Sequence, residues 1–482
     1  MNHIDTHPDI EAAPESFWSE GGQLKSTLIF IFVPAVILGA VIGLGIPLPK
    51  WALYGIAGFF GLRMFLRSFT NPEFLMIAFI VYIPFSKQIV IPLAPGLNGT
   101  NMLLMMLIIS LVSISAKNGK PIFTQYPNTK LVKYFAIVSC ISIITLMFSD
   151  GGVSYLREDI LPQVKGWIEQ FLIFFLFINL IQSNGMARRL VIYLMVGTSI
   201  ALLYGVQETL DKMGLASIEK SRVLGPQLQP NDYGAFLVYN SAPFLAMLLV
   251  FFKDWKAWLM TPYFLITLKV LLSTFSRGAL LALGASVFVG SFVKGKKFII
   301  SGGIIGIIAI ILLPELIPTS LKDRFGLSDT TEIKEEKLDS SSETRLVLWK
   351  AAVAMTLESP VLGKGFKNFN RMKGDYTEVY VREGDTHNMY LWISSQMGLP
   401  ALFLFLFILY RFYKTGTDIF LKHPDKFTKA VGLGGASMVA GIMVVNMFGS
   451  RMIGIDVCGY IWIYFAIVSR LVSEVINDEQ TA

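Results

Sequence analysis

Residues 189–209 read RLVIYLMVGTSIALLYGVQET, with no charge between Arg189 and Glu208. At about 1.5 Å per residue, a run of this kind reaches across the ~30 Å hydrocarbon layer of a bilayer as a helix. Helices are the spanning form here because lipid offers no partner to backbone amides and carbonyls. The same kind of run recurs along the chain, and we place helices near 26–48, 52–69, 73–94, 101–116, 131–149, 165–183, 189–209, 233–252, 257–275, 277–293, 298–316, 388–412, 428–448 and 455–473. Pro84 and Pro92 are placed to shorten the third of these. The expected fold class is an all-α polytopic membrane protein, with about 12–14 transmembrane helices and a long, partly helical periplasmic loop.

Composition supports the membrane assignment. Of 482 residues, 54% are hydrophobic and 16% charged, against the ~25% charged residues of soluble globular chains. The alternating segments of a β-barrel do not stand out. A net charge of +7 points away from nucleic acid here, because Lys and Arg collect in every second loop, as the positive-inside bias dictates. Cys140 and Cys458 both fall inside apolar runs, which points away from a disulfide framework or a metal cluster. The first 24 residues are polar and carry Asp5, Asp9, Glu11, Glu15 and Glu20. A cleavable signal would start with a basic region, so the first apolar run reads as a retained anchor.

The basic loops set an orientation. Arg63 and Arg67, then Lys117, Lys120 and Lys130, then Arg188 and Arg189, Lys253 and Lys256, Lys294, Lys296 and Lys297, and finally Arg411, Lys414, Lys422, Lys426 and Lys429 share the cytoplasmic side with both termini. The resulting organisation is a cytoplasmic tail (1–24), a first transmembrane part (25–316), a periplasmic loop with an amphipathic helix (317–387), a last transmembrane part (388–473) and a cytoplasmic tail (474–482). Four connections then lie outside: 150–164, 210–232, the turn at Ser276-Arg277 and the segment 317–387. The last is too long for a passive connection. Ser340 and Glu343 have capping-box spacing, and Leu346, Trp349 and Val353 recur as a helical stripe.

Ionisable residues gather in those outer connections: Arg222, Arg277 beside Ser276 and Gly278, Arg345 at the start of the loop helix, and His387 in Asp385-Thr386-His387-Asn388-Met389-Tyr390. An arginine keeps its charge and offers a planar fork of donors that fits phosphate oxygens in bidentate fashion. A diphosphate leaving group gains charge as its bond to a sugar breaks, and preorganised cations stabilise that charge. A histidine titrating near 6.5 can take the proton of an attacking hydroxyl. His3, His7 and His423 fall in the tail or in an inner loop, so His387 is the histidine available outside. Asp385 or Glu383 is placed to orient it. Lys269, about two turns below Arg277 in an apolar run, is a further candidate by its depth; its bland alternative is snorkelling or pairing with Glu169. Trp51, Trp167 and Tyr390 read as interfacial belt residues.

No HExxH constellation, Gly-rich nucleotide loop, Asp-x-Asp cluster or GxSxG elbow is present in the sequence. These absences point away from a nucleotide-sugar or ATP donor and toward chemistry without a metal or other cofactor.

At these residues the chain resembles the O-antigen ligase/O-antigen polymerase superfamily, which includes bacterial protein O-oligosaccharyltransferases. The resemblance rests on Arg222-x-x-Gly225-x-x-x-x-Pro230-Asn231, on Thr274-Phe275-Ser276-Arg277-Gly278-Ala279, and on an outer segment. That segment runs through Arg345-x-x-x-Trp349, Pro360-x-x-Gly363-x-Gly365-x-x-x-Phe369 and His387-Asn388-x-Tyr390-Leu391 to Gly398-Leu399. Gln396 stands where the family often has Glu, and Pro400 where it often has a small residue. The resemblance implies an inverting, metal-independent glycosyltransferase of the inner membrane. It would move a glycan from an undecaprenyl-diphosphate carrier to a hydroxyl of lipid A-core, glycan or protein. It implies that Arg222 and Arg277 hold the diphosphate with support from Arg345, that His387 is the general base, and that Asn231, Ser276, Asp385, Asn388, Tyr390 and Lys269 support the site. Membrane lipids surround the chain and nucleic acid is not a partner. A lipid-linked-sugar transporter or flippase is the competing class. It predicts midplane charges and repeat symmetry, whereas the chemistry here sits at one surface.

Overall fold

The computed structural model describes residues 50–69, 71–89, 98–119, 121–213, 218–295, 297–298 and 340–481. The expected helix at 26–48, nearly all of that at 298–316 and the segment 317–339 lie outside the described residues. The described chain is all-helical. Its elements are α1 (Lys50–Ser68), α2 (Pro72–Tyr82), α3 (Gly99–Asn118), α4 (Thr129–Met147), α5 (Gly152–Leu180), α6 (Asn184–Asp211), α7 (Pro230–Val250), α8 (Met260–Ser273), α9 (Arg277–Lys294), α10 (Ser340–Glu358), α11 (Met389–Met397), α12 (Leu399–Lys422), α13 (Lys426–Val445) and α14 (Ile455–Thr481). Among the described residues nine helices are long and apolar enough to cross a membrane: α3 to α7, α9, and α12 to α14. This is a multi-pass membrane protein.

The centre of the bundle is α7, α13 and α14, whose spans are 83%, 78% and 89% buried, whereas α4 and α9 are each 28% buried. Lipid supplies little hydrophobic drive between helices, so small residues bring backbones together. Gly416 of α12 and Gly432 of α13 do this: a Cβ at either would come within 2.5 Å of the other's carbonyl oxygen.

Several boundaries differ from the sequence expectation. The outer connection 150–164 is mostly helical, because α5 starts at Gly152. Pro162 removes a backbone donor, and a π turn at Leu156–Ile160 carries the helix past it. The helix expected at 388–412 is two helices broken at Gly398, whose φ of 87° suits glycine. A Cβ there would lie 2.1 Å from the carbonyl oxygen of Val361, and Leu399 N donates to Pro360 O at 2.7 Å. The connection between α10 and α11 is thus wedged into the break. After α2 a 3-10 turn, Ile83–Phe85, closes the expected 73–94 helix early. The tail expected at 474–482 continues α14 through Thr481. On α10 the packed stripe is Leu348, Ala351, Ala352 and Met355, each fully buried; Leu346 and Val353 of the expected stripe are exposed. Both stripes have helical spacing. The small Ala351 and Ala352 admit the close packing, and the sequence pattern does not weigh that.

Connections alternate between the two ends. One end collects 69–71, 119–128, 181–183, 251–259 and 423–425. There Arg188 pairs with Asp425 at 3.1 Å and Arg189 with Glu73 at 2.6 Å. The other end collects 148–151, 212–229, 274–276, 359–388 and 446–454, and it holds the expected site residues.

Candidate functional site at one end of the bundle

The loop before α7 is built around a carboxylate. Glu208, near the end of α6, accepts Leu224 N at 3.0 Å and Gly225 N at 2.8 Å, while Lys212 pairs with Glu208 and donates to Arg222 O, both at 2.6 Å. Gly225, at φ 62°, lies against the ring of Tyr233, where a Cβ would come within 2.2 Å. The motif glycine is therefore a close-approach residue. The loop delivers Arg222, whose Nε donates to Thr274 O at 3.0 Å and whose guanidinium donates to Asn231 Oδ1 at 3.1 Å. Asn231 thus orients Arg222.

Thr274 begins the turn into α9. Phe275 adopts φ 55°, a left-handed conformation rare for a bulky residue, and Arg277 follows as the first residue of α9. Ser276 is buried and its amide donates to Thr274 Oγ1 at 3.2 Å; its hydroxyl does not cap α9. Gly278 lies against Phe448, so Arg277 starts its helix beside the turn joining α13 to α14.

That turn carries Arg451, a residue absent from the sequence reading. Its guanidinium pairs with Asp232 of α7 at 2.6 Å. Its amide donates to Asn446 Oδ1 at 3.0 Å. Asn446 is fully buried; its Nδ2 donates to Tyr239 OH at 3.1 Å, and its carbonyl accepts Met389 N at 2.9 Å. The backbone just after His387 is thereby tied to the Arg451 turn. The signal that singled out Arg222 and Arg277, an arginine in a connection on the side that should lack them, applies equally to Arg451.

His387 sits at φ 51°. Its amide donates to Asp385 Oδ2 at 3.2 Å, but its Nδ1 is 3.9 Å from the same oxygen, beyond hydrogen-bond reach. Asp385 therefore shapes the turn and does not hold the imidazole. Among the described residues, His387 Nδ1 and Asp385 Oδ1 are buried with no hydrogen-bond partner. Burial pushes the His387 pKa below its ordinary 6.5; Asp385 opposes this, Arg451 and Arg345 add to it, and Glu383 opposes. The imidazole is neutral at neutral pH. Trp349 on α10 donates its Nε1 to Thr386 O at 3.0 Å, which places Arg345, one turn earlier on that helix, toward the histidine. Lys367, half-buried nearby and also in the left-handed region, has its pKa lowered by desolvation, an effect that Asp385 opposes.

Three expected supporting residues have other surroundings in the structure. Asn388 caps α11, accepting Tyr390 N at 3.0 Å and Leu391 N at 3.2 Å. Tyr390 donates its hydroxyl to Met443 O at 2.7 Å. Lys269 is on the exposed side of α8 and forms no ion pair among the described residues; Glu169 pairs with Lys165 instead. An exposed lysine this close to a helix end fits snorkelling. Gln396 is fully buried and donates to Trp392 O, while its carbonyl accepts Gly365 N and Ser142 Oγ. It seats the Pro360–Gly365 loop: a Cβ at Gly363 would come within 2.3 Å of its backbone.

Fold and site together define a multi-pass helical membrane protein with an arginine-histidine cluster at one end of its bundle. The sequence profile of the family described as O-antigen ligase matches residues 262–406, so the chain is similar to that family over this stretch. The matched segment runs from α8 to α12 and includes Arg277, Arg345 and His387; Arg222 and Arg451 lie on either side of it. No curated protein matches the chain.

Proposed function

We propose that the chain is an inverting, metal-independent glycosyltransferase that moves a glycan from an undecaprenyl-diphosphate carrier to a hydroxyl acceptor on the periplasmic face of the inner membrane. The family implies lipid-linked glycan substrates. The observation that supports the finer reading is the gathering of Arg222, Arg277, Arg345 and His387 at one end, through Thr274, Asn231, the Phe448 contact and the Trp349–Thr386 bond. In the reaction the acceptor oxygen attacks the anomeric carbon from the face opposite the carrier. The carbon–oxygen bond to the diphosphate breaks, the acceptor proton passes to the His387 imidazole, and the diphosphate leaves with its charge held by guanidinium groups. The neutral state of His387 suits a proton acceptor. The basic connections at the far end would face the cytoplasm, which puts this cluster outside.

The test is transfer by the purified chain in lipid nanodiscs. His387→Ala is expected to lower transfer by about 10²–10⁴-fold while the protein inserts and binds donor lipid as before; normal turnover would remove the general-base role. Deleting the gene in its host then identifies the acceptor. Loss of long glycan on lipopolysaccharide means a ligase, loss of polymer length a polymerase, and unglycosylated proteins a protein O-oligosaccharyltransferase.

A further inference from the structure

We propose that Arg451, clamped by Asp232 and laid over Gly449, is a further anion-binding residue of this site and takes part of the donor diphosphate beside His387. The inference rests on the transferase reading for the identity of the anion. The geometry is its own argument. One terminal nitrogen of the guanidinium is committed to Asp232 at 2.6 Å, and the backbone amide is committed to Asn446 Oδ1 at 3.0 Å. The rest of the group lies over Gly449, where a Cβ would come within 2.3 Å of Nε and 2.8 Å of Nη2. The glycine thus makes room for the side chain to fold back. No hydrogen bond to Nε or Nη2 occurs among the described residues, so a second edge of the fork is not spent on protein. An arginine with one edge held by a carboxylate and another unspent is preorganised for a bidentate oxyanion.

Its surroundings decide which anion. Asp232 follows Asn231, which holds Arg222, so the two arginines are anchored on adjacent residues of the first turn of α7. Two guanidinium groups presented from one helical turn suit the two phosphoryl groups of a diphosphate better than a single carboxylate. Arg451 is also near enough to His387 to influence its protonation, as is Arg345, with Asp385 and Glu383 opposing them.

The experiment measures donor Kd directly in nanodiscs, with an undecaprenyl-diphosphate-linked oligosaccharide as probe, alongside transfer kinetics. Arg451→Gln is expected to weaken donor binding about tenfold or more, as for loss of a charge-assisted hydrogen bond. Arg451→Lys keeps a charge for Asp232 but lacks the second edge, so it should lose affinity similarly. Asp232→Asn releases the clamp and should weaken binding less. The acidic limb of the Arg451→Gln rate profile should move to higher pH, since a cation that disfavours the imidazolium is gone. Wild-type Kd in Arg451→Gln overturns the proposal. Should that variant fail to insert, wild-type Kd in Arg451→Lys overturns it. A His387→Ala protein that still transfers would remove the general-base role and leave the Arg451 result standing on Kd alone.

Discussion

The two ends of the bundle are built differently. Five non-glycine residues among those described have left-handed backbone, and four of them, Leu228, Phe275, Lys367 and His387, lie at the end that holds the arginines; Asn128 lies at the other. At the far end, helices stop and start by ordinary means: Gly119 closes α3 at φ 60°, and Asp425 caps α13 by accepting Thr428 N at 2.7 Å. Non-glycine residues in the left-handed region cost of order 1–3 kcal/mol each and persist where the surroundings over-determine them. Strain at one end and relaxed turns at the other mark where the chain is shaped for something besides folding.

The sharpest way to break this contrast is at the strained end. Arg277→Lys replaces a fork with a point charge and is expected to lower kcat by about 10²-fold, with little change in thermal stability; near-normal turnover would return Arg277 to a helix-end anchor. Smaller is the pH effect. With His387 held below 6.5 by burial, a base that must be unprotonated loses activity only as pH falls through that lowered value. Initial rates should therefore be level across neutral pH and drop below 6.5; a drop beginning above 7 would contradict the buried imidazole. Smallest are two backbone changes. Leu228→Gly relieves an exposed residue at φ 58° and should stabilise the chain by up to about 1 kcal/mol. Gly119→Ala meets open space but an unfavourable φ, and should cost about 1–2 kcal/mol while leaving transfer unchanged. Thermal unfolding in detergent reads both; a Leu228→Gly chain less stable than wild type, or a Gly119→Ala chain no less stable, would erase the contrast.

The apolar runs were legible because lipid imposes one requirement on every spanning residue. Nine described spans and the two-sided placement of basic loops follow from that pattern. The break at Gly398 was not legible, because it answers to the Val361 carbonyl and the Pro360 bond, contacts from a segment nearly forty residues earlier. The packed face of α10 was misread because Leu346 and Leu348 are equally apolar in sequence, and only the neighbours tell them apart. Among site residues, Arg222, Arg277 and Arg345 stood out as arginines in the expected outer connections, and His387 as the histidine available there. Arg451 carried the same signal in the connection before α14, and the sequence reading passed over it. Asp385 was suggested by proximity in sequence, yet the turn at His387 directs the backbone amide to it and leaves the ring 3.9 Å away.

Asn446 has a consequence of its own. Its buried carboxamide touches Tyr239 and the amide of Arg451, while its backbone carbonyl accepts the amide of Met389. It works as a shared datum from which three stretches of chain take their height. A shortened side chain at this position would release Tyr239 and Arg451 at once and leave the Met389 bond as the one tie. Kinetics alone would then accuse a residue that never meets the sugar.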